Sequence, residues 1–254
     1  MQIIVLGMHR SGTSAVAGAL NLMGAYVGAP EALMAPQPDN PSGFWERSDI
    51  TDLNDRVLAS ADASWWNLAG FDSSRLPEQA VEAFEVDASN ILADLESHRP
   101  WVAKDPRFCL LLPLWLRLLD RPVCVLVYRD PIEIALSLKE RNGFSLTLGV
   151  ALWEHYMVSA LRSSRHDHLV LVSYHDLIAD AEATTLDLHR RLRGLGVDGL
   201  APADGLELAA FVDPDLQHHR DIQFDSEHLL NNAQWRLARA LRDGIMPSAS
   251  DNFD

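Results

Sequence analysis

Short apolar runs alternate along the chain with stretches in which apolar residues recur at helical spacing. The runs at residues 3–6, 101–103, 123–128 and 169–172 predict buried strands. The helical spacing predicts a helix that starts at Pro131 behind the capping residue Asp130, and further helices over residues 15–23, 49–60, 78–95, 110–119, 145–165, 182–193 and 226–243. This alternation predicts a three-layer α/β fold with a mostly parallel central sheet flanked by helices. The run 123–128 is apolar throughout, which is typical of a central strand covered on both faces.

Size and composition fit one globular domain over residues 1–254, since 48% of the residues are hydrophobic. The net charge of −15 disfavours a nucleic-acid partner. Cys109 and Cys124 lie in apolar segments, which favours buried thiols in a reducing compartment. The histidines and cysteines show no metal-ligand spacing, so no metal is expected. No leader pattern or long apolar span is visible, and we therefore expect a cytoplasmic protein without a membrane span. The sequence leaves the oligomeric state open.

The segment Gly7-Met8-His9-Arg10-Ser11-Gly12-Thr13-Ser14 joins the first predicted strand to the first predicted helix. A glycine turn in this position aims backbone N–H groups and the positive end of a helix dipole into one concavity, which suits a phosphate. Gly7, Gly12 and Ser14 keep the spacing of a nucleoside-triphosphate P-loop, so a P-loop-type fold is expected. Thr13 replaces the P-loop lysine, which argues against ATP or GTP hydrolysis. The alternative is a glycine turn that only packs a helix closely. Side-chain donors are supplied by Arg10, Ser11, Thr13 and Ser14.

Polar residues follow the other predicted strands at the point where each strand ends. Lys104 follows the run 101–103, Arg129 follows 123–128, and Tyr174 comes shortly after 169–172. Because ligands of open α/β sheets bind beyond the carboxyl ends of the strands, we expect these side chains to meet the phosphate loop at one rim. The alternatives are a structural arginine that caps a strand end and a surface lysine in the turn before Asp105-Pro106.

Two of these segments resemble the sulfotransferases that use 3′-phosphoadenosine-5′-phosphosulfate (PAPS). The segment His9-Arg10-Ser11-Gly12-Thr13-Ser14 resembles their 5′-phosphosulfate loop, Pro-Lys-Ser-Gly-Thr-Thr in many members, with Arg10 at the lysine position. Arg129, Pro131 and Ser137 match the spacing of a second motif, whose arginine and serine bind the 3′-phosphate of the cofactor. A guanidinium fork and a hydroxyl on the following helix can hold one phosphate from two sides.

The resemblance implies a single in-line transfer of a sulfuryl group from PAPS, without a metal. The acceptor would be a hydroxyl, or as a second choice an amine, of a glycan, a glycolipid or another small molecule. A late basic loop often covers the 3′-phosphate in the family, and His218, His219 and Arg220 could serve there. The implied cofactor-binding residues are His9, Arg10, Ser11, Gly12, Thr13, Ser14, Arg129, Ser137 and Arg220.

The resemblance also implies catalytic roles for Arg10, Lys104 and Glu46. Lys104-Asp105-Pro106 resembles a segment whose lysine neutralises charge on the transferred group, and Arg10 would assist it. Gly43-Phe44-Trp45-Glu46 is similar to a Gly-aromatic-x-Glu segment that supplies a glutamate base. Removal of the acceptor proton needs such a base, for which His9 and Asp105 are the other candidates. Glu46 could also be a solvated residue before a helix.

Three points stay open. Trp65 and Trp66 could pack as core or lid residues, or form a platform for a sugar or aromatic acceptor. Tyr174-His175-Asp176-Leu177 resembles a strand-end segment of the family and is interpreted mainly as a polar cap of the next helix. A small-molecule P-loop kinase and a non-catalytic nucleotide-binding protein are the rival functions; the missing P-loop lysine counts against the first and the presence of Glu46 against the second.

Overall fold

The computed structural model describes residues 1–35, 43–164, 166–212 and 229–247. Within them, four strands form one sheet in the order β2-β1-β3-β4, and every neighbouring pair is parallel. In register, Ile4 lies opposite Ala103 on one side and opposite Cys124 on the other. The strands are β1 Gln2–Leu6, β2 Trp101–Lys104, β3 Val123–Tyr128 and β4 Leu169–Ser173.

Helices connect the strands, as the alternating pattern predicts. Asp130 accepts a hydrogen bond from the Ile132 N–H at 2.9 Å and so caps the helix that begins at Pro131, which confirms that prediction. Ser145 caps the following long helix. The described helices are α1 Thr13–Leu22, α2 Ser48–Ala59, α3 Glu78–Glu96, α4 Phe108–Trp115, α5 Pro131–Asn142, α6 Leu146–Ser163, α7 Tyr174–Ala179, α8 Ala181–Gly194, α9 Gly205–Phe211 and α10 Asn232–Arg242.

Two apolar cores lie on opposite faces of the sheet. Alternate side chains of β1 point to opposite faces because successive residues of a strand alternate. Ile4 and Leu6 join the larger core with α2 to α6, whereas Ile3 and Val5 join the smaller core with α1 and α8. Every residue of β3 is buried, as its uniform apolar pattern predicts. The three-layer α/β arrangement with a parallel central sheet is therefore confirmed.

Both cysteines are free thiols in the core. Burial raises the pKa of Cys109 and that of Cys124 to about 12, so both stay protonated near neutral pH. Among the described residues, no helix combines the length and the apolar character needed to cross a membrane.

Candidate active site

Two glycines shape the loop between β1 and α1. Gly7 has φ 153°, and a Cβ there would lie 2.7 Å from Ser11 Oγ. Gly12 has φ 91° and precedes the first residue of α1; a Cβ there would lie 2.1 Å from the ring of Tyr174. No residue with a side chain fits either position unless its neighbours move. The first N–H groups of α1 have no partner inside the helix, so they face the concavity of the loop.

A thiol supports the start of the loop. The Gly7 N–H donates to Cys109 Sγ at 3.1 Å, and the Ser11 N–H donates to the carbonyl oxygen of Met8 at 3.1 Å. Cys109 lies at the start of α4, on the larger-core face of the sheet. This contact could not be predicted from the sequence, because an apolar segment with one cysteine predicts only core packing.

Lys104 and Glu46 form a buried ion pair beside the loop. Lys104 Nζ donates to the Glu46 carboxylate and to Ser14 Oγ, the second contact at 3.1 Å. The exposed fraction is only 3% for Lys104 and 7% for Glu46. A surface lysine and a solvated glutamate are therefore excluded as interpretations. Burial raises the pKa of the Glu46 carboxyl, and the attraction of Lys104 opposes this rise.

The segment around Glu46 is held by its backbone and by its neighbours. The Met34 N–H donates to the carbonyl oxygen of Glu46 at 2.8 Å, and Leu33 bridges Arg47 in antiparallel fashion. Trp45 adopts φ 56° and packs its ring edge-on against Phe211, with the ring centroids 5.7 Å apart. Arg47 is anchored by ion pairs to Asp49 at 2.7 Å and Asp94 at 2.5 Å. These contacts fix the backbone that directs Glu46 inward.

Arg129 and Ser137 reach the same loop from the other side. Arg129 Nη1 donates to the carbonyl oxygen of Arg10 at 3.0 Å, and Arg10 Nε donates to Ser137 Oγ at 2.9 Å. The Arg129 guanidinium lies over the Tyr174 ring, 4.7 Å from its centroid. Arg129 Nε also donates to Glu133 Oε2 at 2.9 Å. The two segments of the resemblance are therefore joined directly by hydrogen bonds.

His9, a residue of the loop, packs against two aromatic rings. Its ring centroid is 4.5 Å from that of Trp65 and 5.8 Å from that of Tyr156. Burial, reinforced by the nearby Arg107 and other cations, holds the pKa of His9 well below its usual range, so the imidazole is neutral at pH 7. Among the described residues, the buried atoms His9 Nε2 and Ser11 Oγ have no hydrogen-bond partner.

The two tryptophans of the 65–66 pair differ in environment. Trp65 is partly buried against the larger core, and the Tyr156 hydroxyl donates to its carbonyl oxygen at 2.8 Å. Trp66 is 46% exposed, with its ring centroid 5.9 Å from that of Phe144. The packing interpretation therefore describes Trp65, and Trp66 offers an indole face to solvent.

Asp105 belongs to a structural network. It is fully buried, and its Oδ1 accepts from the Arg107 N–H at 2.8 Å and from Arg107 Nη1 at 3.0 Å. Arg107 also contacts Asp55 at 2.5 Å, and Asn54 donates to Asp105 Oδ2 at 3.3 Å. Asp105 therefore caps its own turn. Its lone pairs are engaged by these donors, which argues against a role as base.

The interpretation that Tyr174-His175-Asp176-Leu177 forms the polar cap of the next helix is wrong, because this segment lies within α7. Ser173, one position earlier, caps α7: its Oγ accepts from the Asp176 N–H at 3.2 Å. Tyr174 instead packs on Gly12 and Arg129, which places it within the site. Glu133, one helical turn after Arg129, is a further site residue that the sequence analysis did not single out. The i, i+4 spacing of opposite charges at the start of α5 was the signal available for it.

The structure brings together most of the residues predicted for the site. Three predicted residues lie outside the described part of the chain, namely His218, His219 and Arg220. No group of three or more metal-ligating side chains is found in the described residues. Those that meet around the loop are His9, Arg10, Ser11, Gly12, Thr13, Ser14, Glu46, Lys104, Arg129 and Ser137.

Comparison with known proteins agrees with this picture. None of the curated proteins compared matches the chain. The sulfotransferase domain of the Synechococcus PCC 7002 olefin synthase has 19% identity and a TM-score of 0.50, over 95% of this chain and 94% of that one. The sulfotransferase domain from the curacin biosynthetic pathway has 13% identity and a TM-score of 0.53, over 94% and 96%. At such identities the likeness shows the fold alone. The model of the Sulfotransferase family, however, matches residues 2–197, a range that contains all four strands and the site around them. The chain therefore belongs to the sulfotransferase family.

Proposed function

We propose that this protein transfers a sulfuryl group from PAPS to a hydroxyl of a small-molecule, glycan or glycolipid acceptor. The observation that supports the proposal is the direct contact between the two segments that would bind the phosphates. Arg10 and Ser137 are 127 positions apart and are hydrogen-bonded at 2.9 Å, and Arg129 donates to the Arg10 carbonyl oxygen at 3.0 Å. Two anion-binding groups this close together could hold both the 3′- and the 5′-phosphate of one nucleotide.

The chemistry of the donor set fits such a nucleotide. Arg10, Lys104 and Arg129 bring three cationic side chains to one rim of a chain whose net charge is −15. Ser11 Oγ is a buried hydroxyl with no hydrogen-bond partner among the described residues, as expected of a group that forms a hydrogen bond when a ligand binds. The first turn of α1 adds backbone N–H groups. PAPS would supply an activated sulfuryl group whose leaving group is a phosphate.

The residues divide into two binding groups and one acceptor side. Arg10 and the segment Ser11 to Ser14 would hold the 5′-phosphosulfate, and Arg129 with Ser137 would hold the 3′-phosphate. Lys104 would stabilise the negative charge that develops on the oxygens around the sulfur, since a rigid buried cation needs no reorganisation. His9 and Trp65 would line the acceptor side.

Glu46 would accept the proton of the acceptor hydroxyl. Its carboxylate is held in place by Lys104, the same cation that would contact the sulfuryl oxygens. Burial raises its pKa toward neutrality, which makes the carboxylate a stronger base than an exposed one. The proposed cation and the proposed base are in contact with each other, so both would be close to the transferred sulfuryl group and to the acceptor.

Ligand-dependent stability separates this function from that of a kinase. The spent cofactor, 3′-phosphoadenosine 5′-phosphate (PAP), should stabilise the fold by about 2.7 kcal/mol at 100 times its Kd. Arg129→Lys should lose most of this gain, because it keeps the charge but not the guanidinium fork. Arg193→Ala is the control and should behave like the wild type, because Arg193 is an exposed residue of α8. Stabilisation by ATP with Mg²⁺ but not by PAP would contradict the proposal. A screen of hydroxyl compounds with radiolabelled PAPS then identifies the acceptor.

A further inference from the structure

A line of charged side chains runs from Arg129 to the surface. Arg129 Nε donates to Glu133 Oε2 at 2.9 Å, and His175 Nε2 contacts the other carboxylate oxygen, Oε1, at 3.2 Å. The exposed fraction of these side chains rises from 7% at Arg129 through 15% at Glu133 to 40% at His175. Glu133 lies on α5 and His175 on α7, so the line crosses between the elements that follow β3 and β4.

The contacts fix the guanidinium of Arg129 from three sides. Nε binds Glu133, Nη1 binds the Arg10 carbonyl oxygen, and the plane lies over the Tyr174 ring. Among the described residues, two of the five N–H donors of the guanidinium make hydrogen bonds, which leaves the other three for a ligand. Glu133 therefore sets the direction in which these donors point.

Glu133 also places a negative charge directly behind the arginine, where it opposes the binding of an anion. A proton on His175 compensates this charge. The other described charged groups that face His175 are Arg129 and Asp130, and Asp130 is itself paired with Arg242 of α10 at 2.6 Å. The hydrogen bond to Glu133 is the largest cause that raises the pKa of His175. Burial opposes the charged form of Glu133, but the hydrogen bonds from His175 and Arg129 outweigh it and lower its pKa.

We propose that Glu133 and His175 are positioning residues for Arg129, and that binding of the nucleotide 3′-phosphate is coupled to proton uptake by His175. The inference rests on the proposed function, because it takes Arg129 to hold the 3′-phosphate. A bound phosphate dianion makes the surroundings of His175 more negative, which stabilises the imidazolium. The nucleotide therefore binds more tightly when His175 is protonated, and a neutral His175 takes up a proton on binding.

The sign of the pH dependence follows from this coupling. Affinity is highest below the pKa of His175, which the Glu133 carboxylate raises, and falls as the pH rises through it. The phosphates of the nucleotide titrate near pH 6 and are dianionic above pH 7. Their own titration therefore strengthens binding as the pH rises, which is opposite in sign to the effect of His175 and occurs in a lower pH range. A unit charge behind the binding arginine in a partly exposed position changes affinity by about fivefold.

Isothermal titration of the protein with PAP tests the coupling. We expect the Kd of the wild type to rise about fivefold from pH 7 to pH 9, and binding at pH 7.5 to take up protons when buffers of different ionisation enthalpy are compared. His175→Gln should remove both effects. His166→Gln is the matched control, because His166 precedes β4 whereas His175 follows it.

Two variants of Glu133 and a second ligand distinguish a positioning role of Glu133 from a general structural role. Glu133→Gln retains an oxygen for Arg129 Nε, so it should bind PAP at pH 9 at least as tightly as the wild type, without the pH dependence. Glu133→Ala frees the guanidinium and should weaken binding about tenfold at every pH. Adenosine 5′-phosphate, which lacks the 3′-phosphate, should show no dependence on His175.

The outcomes distinguish this inference from the proposed function. Failure of the wild type to bind PAP at any pH would refute the proposed function, and this inference with it. PAP binding with the same pH profile and proton uptake in the wild type and His175→Gln would overturn the inference alone. A pH effect that is equally large with adenosine 5′-phosphate would overturn it as well, because the coupling would not involve the 3′-phosphate.

Discussion

Lys104 at the end of β2 and Glu46 in the loop before α2 are 58 positions apart and share a buried contact. The lysine also reaches Ser14 Oγ at 3.1 Å, so one ammonium group links the proposed base to the phosphate loop. The attraction between two buried charges of opposite sign offsets their cost of desolvation, whereas either charge buried alone would be strongly unfavourable. The catalytic pair of the proposal is therefore also a structural unit.

The stability of Lys104 and Glu46 variants should reflect this mutual dependence. Lys104→Met leaves a buried carboxylate without its cation and should reduce the free energy of unfolding by about 3–5 kcal/mol. The double variant Lys104→Met with Glu46→Gln removes both charges and should be more stable than Lys104→Met alone. Urea denaturation at pH 7 measures four proteins: the wild type, Lys104→Met, Glu46→Gln and the double variant. Additive losses would show that the two residues do not interact.

Turnover should depend on Lys104 more than cofactor binding does. A contact made mainly in the transition state lowers kcat when it is lost and leaves ground-state affinity nearly unchanged. We therefore expect Lys104→Met to reduce kcat, measured with an acceptor from the radiolabel screen, while its Kd for PAP changes by less than about threefold. The measurement is made at a temperature where thermal denaturation shows the variant to be folded. Unchanged kcat would limit Lys104 to its structural role.

Gly12 and Gly196 separate backbone strain from side-chain contact. Both have positive φ, 91° and 84°, but a Cβ at Gly12 would meet the Tyr174 ring at 2.1 Å, whereas a Cβ at Gly196 meets nothing within 4 Å. Gly196→Ala should therefore lose only the strain energy, about 1–2 kcal/mol. Gly12→Ala should lose more, and it should abolish stabilisation by PAP because Tyr174 supports Arg129. Equal losses of stability with intact PAP binding would contradict the packing argument.

Much of the fold could be predicted from local patterns. The uniform apolar run of β3 and the Asp130-Pro131 start of α5 depend on residues next to each other in sequence, and both predictions hold. Helix α4 was predicted over 110–119 but spans Phe108–Trp115. The turn at Asp105 leads directly into it, which explains the earlier start. The short helix α9 was missed, because its Phe211 packs over Gly18 of α1, a contact that no local pattern records.

The candidate site was likewise predictable in part from local sequence patterns. Its location at one rim followed from the parallel sheet, since Lys104 and Arg129 lie at the carboxyl ends of β2 and β3. The partners of these residues did not follow. Glu46 reaches Lys104 only because the chain before α2 is folded back by the left-handed Trp45 and the bridge between Leu33 and Arg47. Such contacts depend on tertiary structure rather than on spacing in the sequence.

The neutral state of His9 predicts a pH effect on stability. Its pKa is lowered by burial and nearby cations in the folded protein, whereas in the unfolded chain it is about 6.5. Below that value the unfolded state binds a proton that the folded state does not, so the contribution of His9 to stability falls as the pH decreases. Relative to His9→Gln, the wild type should lose roughly 1 kcal/mol between pH 7.5 and pH 5.5. Denaturant titrations at a series of pH values measure the difference. Parallel profiles would show that His9 remains free to protonate in the folded protein.

Glu46→Gln tests the proposed base. The amide keeps the shape of the side chain and an oxygen that can accept from Lys104, but it cannot take a proton. Loss of a general base typically lowers the rate about 10²–10⁴-fold, and we expect a fall in kcat of this size with unchanged stabilisation by PAP. In the wild type, the carboxylate must be ionised to act, so the rate should rise with pH through the pKa of Glu46, which burial places above that of an exposed glutamate. This rise should be absent from the residual activity of the variant.

Near-normal turnover of Glu46→Gln at every pH would instead assign the role of base to His9, whose neutral imidazole lies against Trp65 on the proposed acceptor side. The double variant with His9→Gln would then show the loss that Glu46→Gln did not.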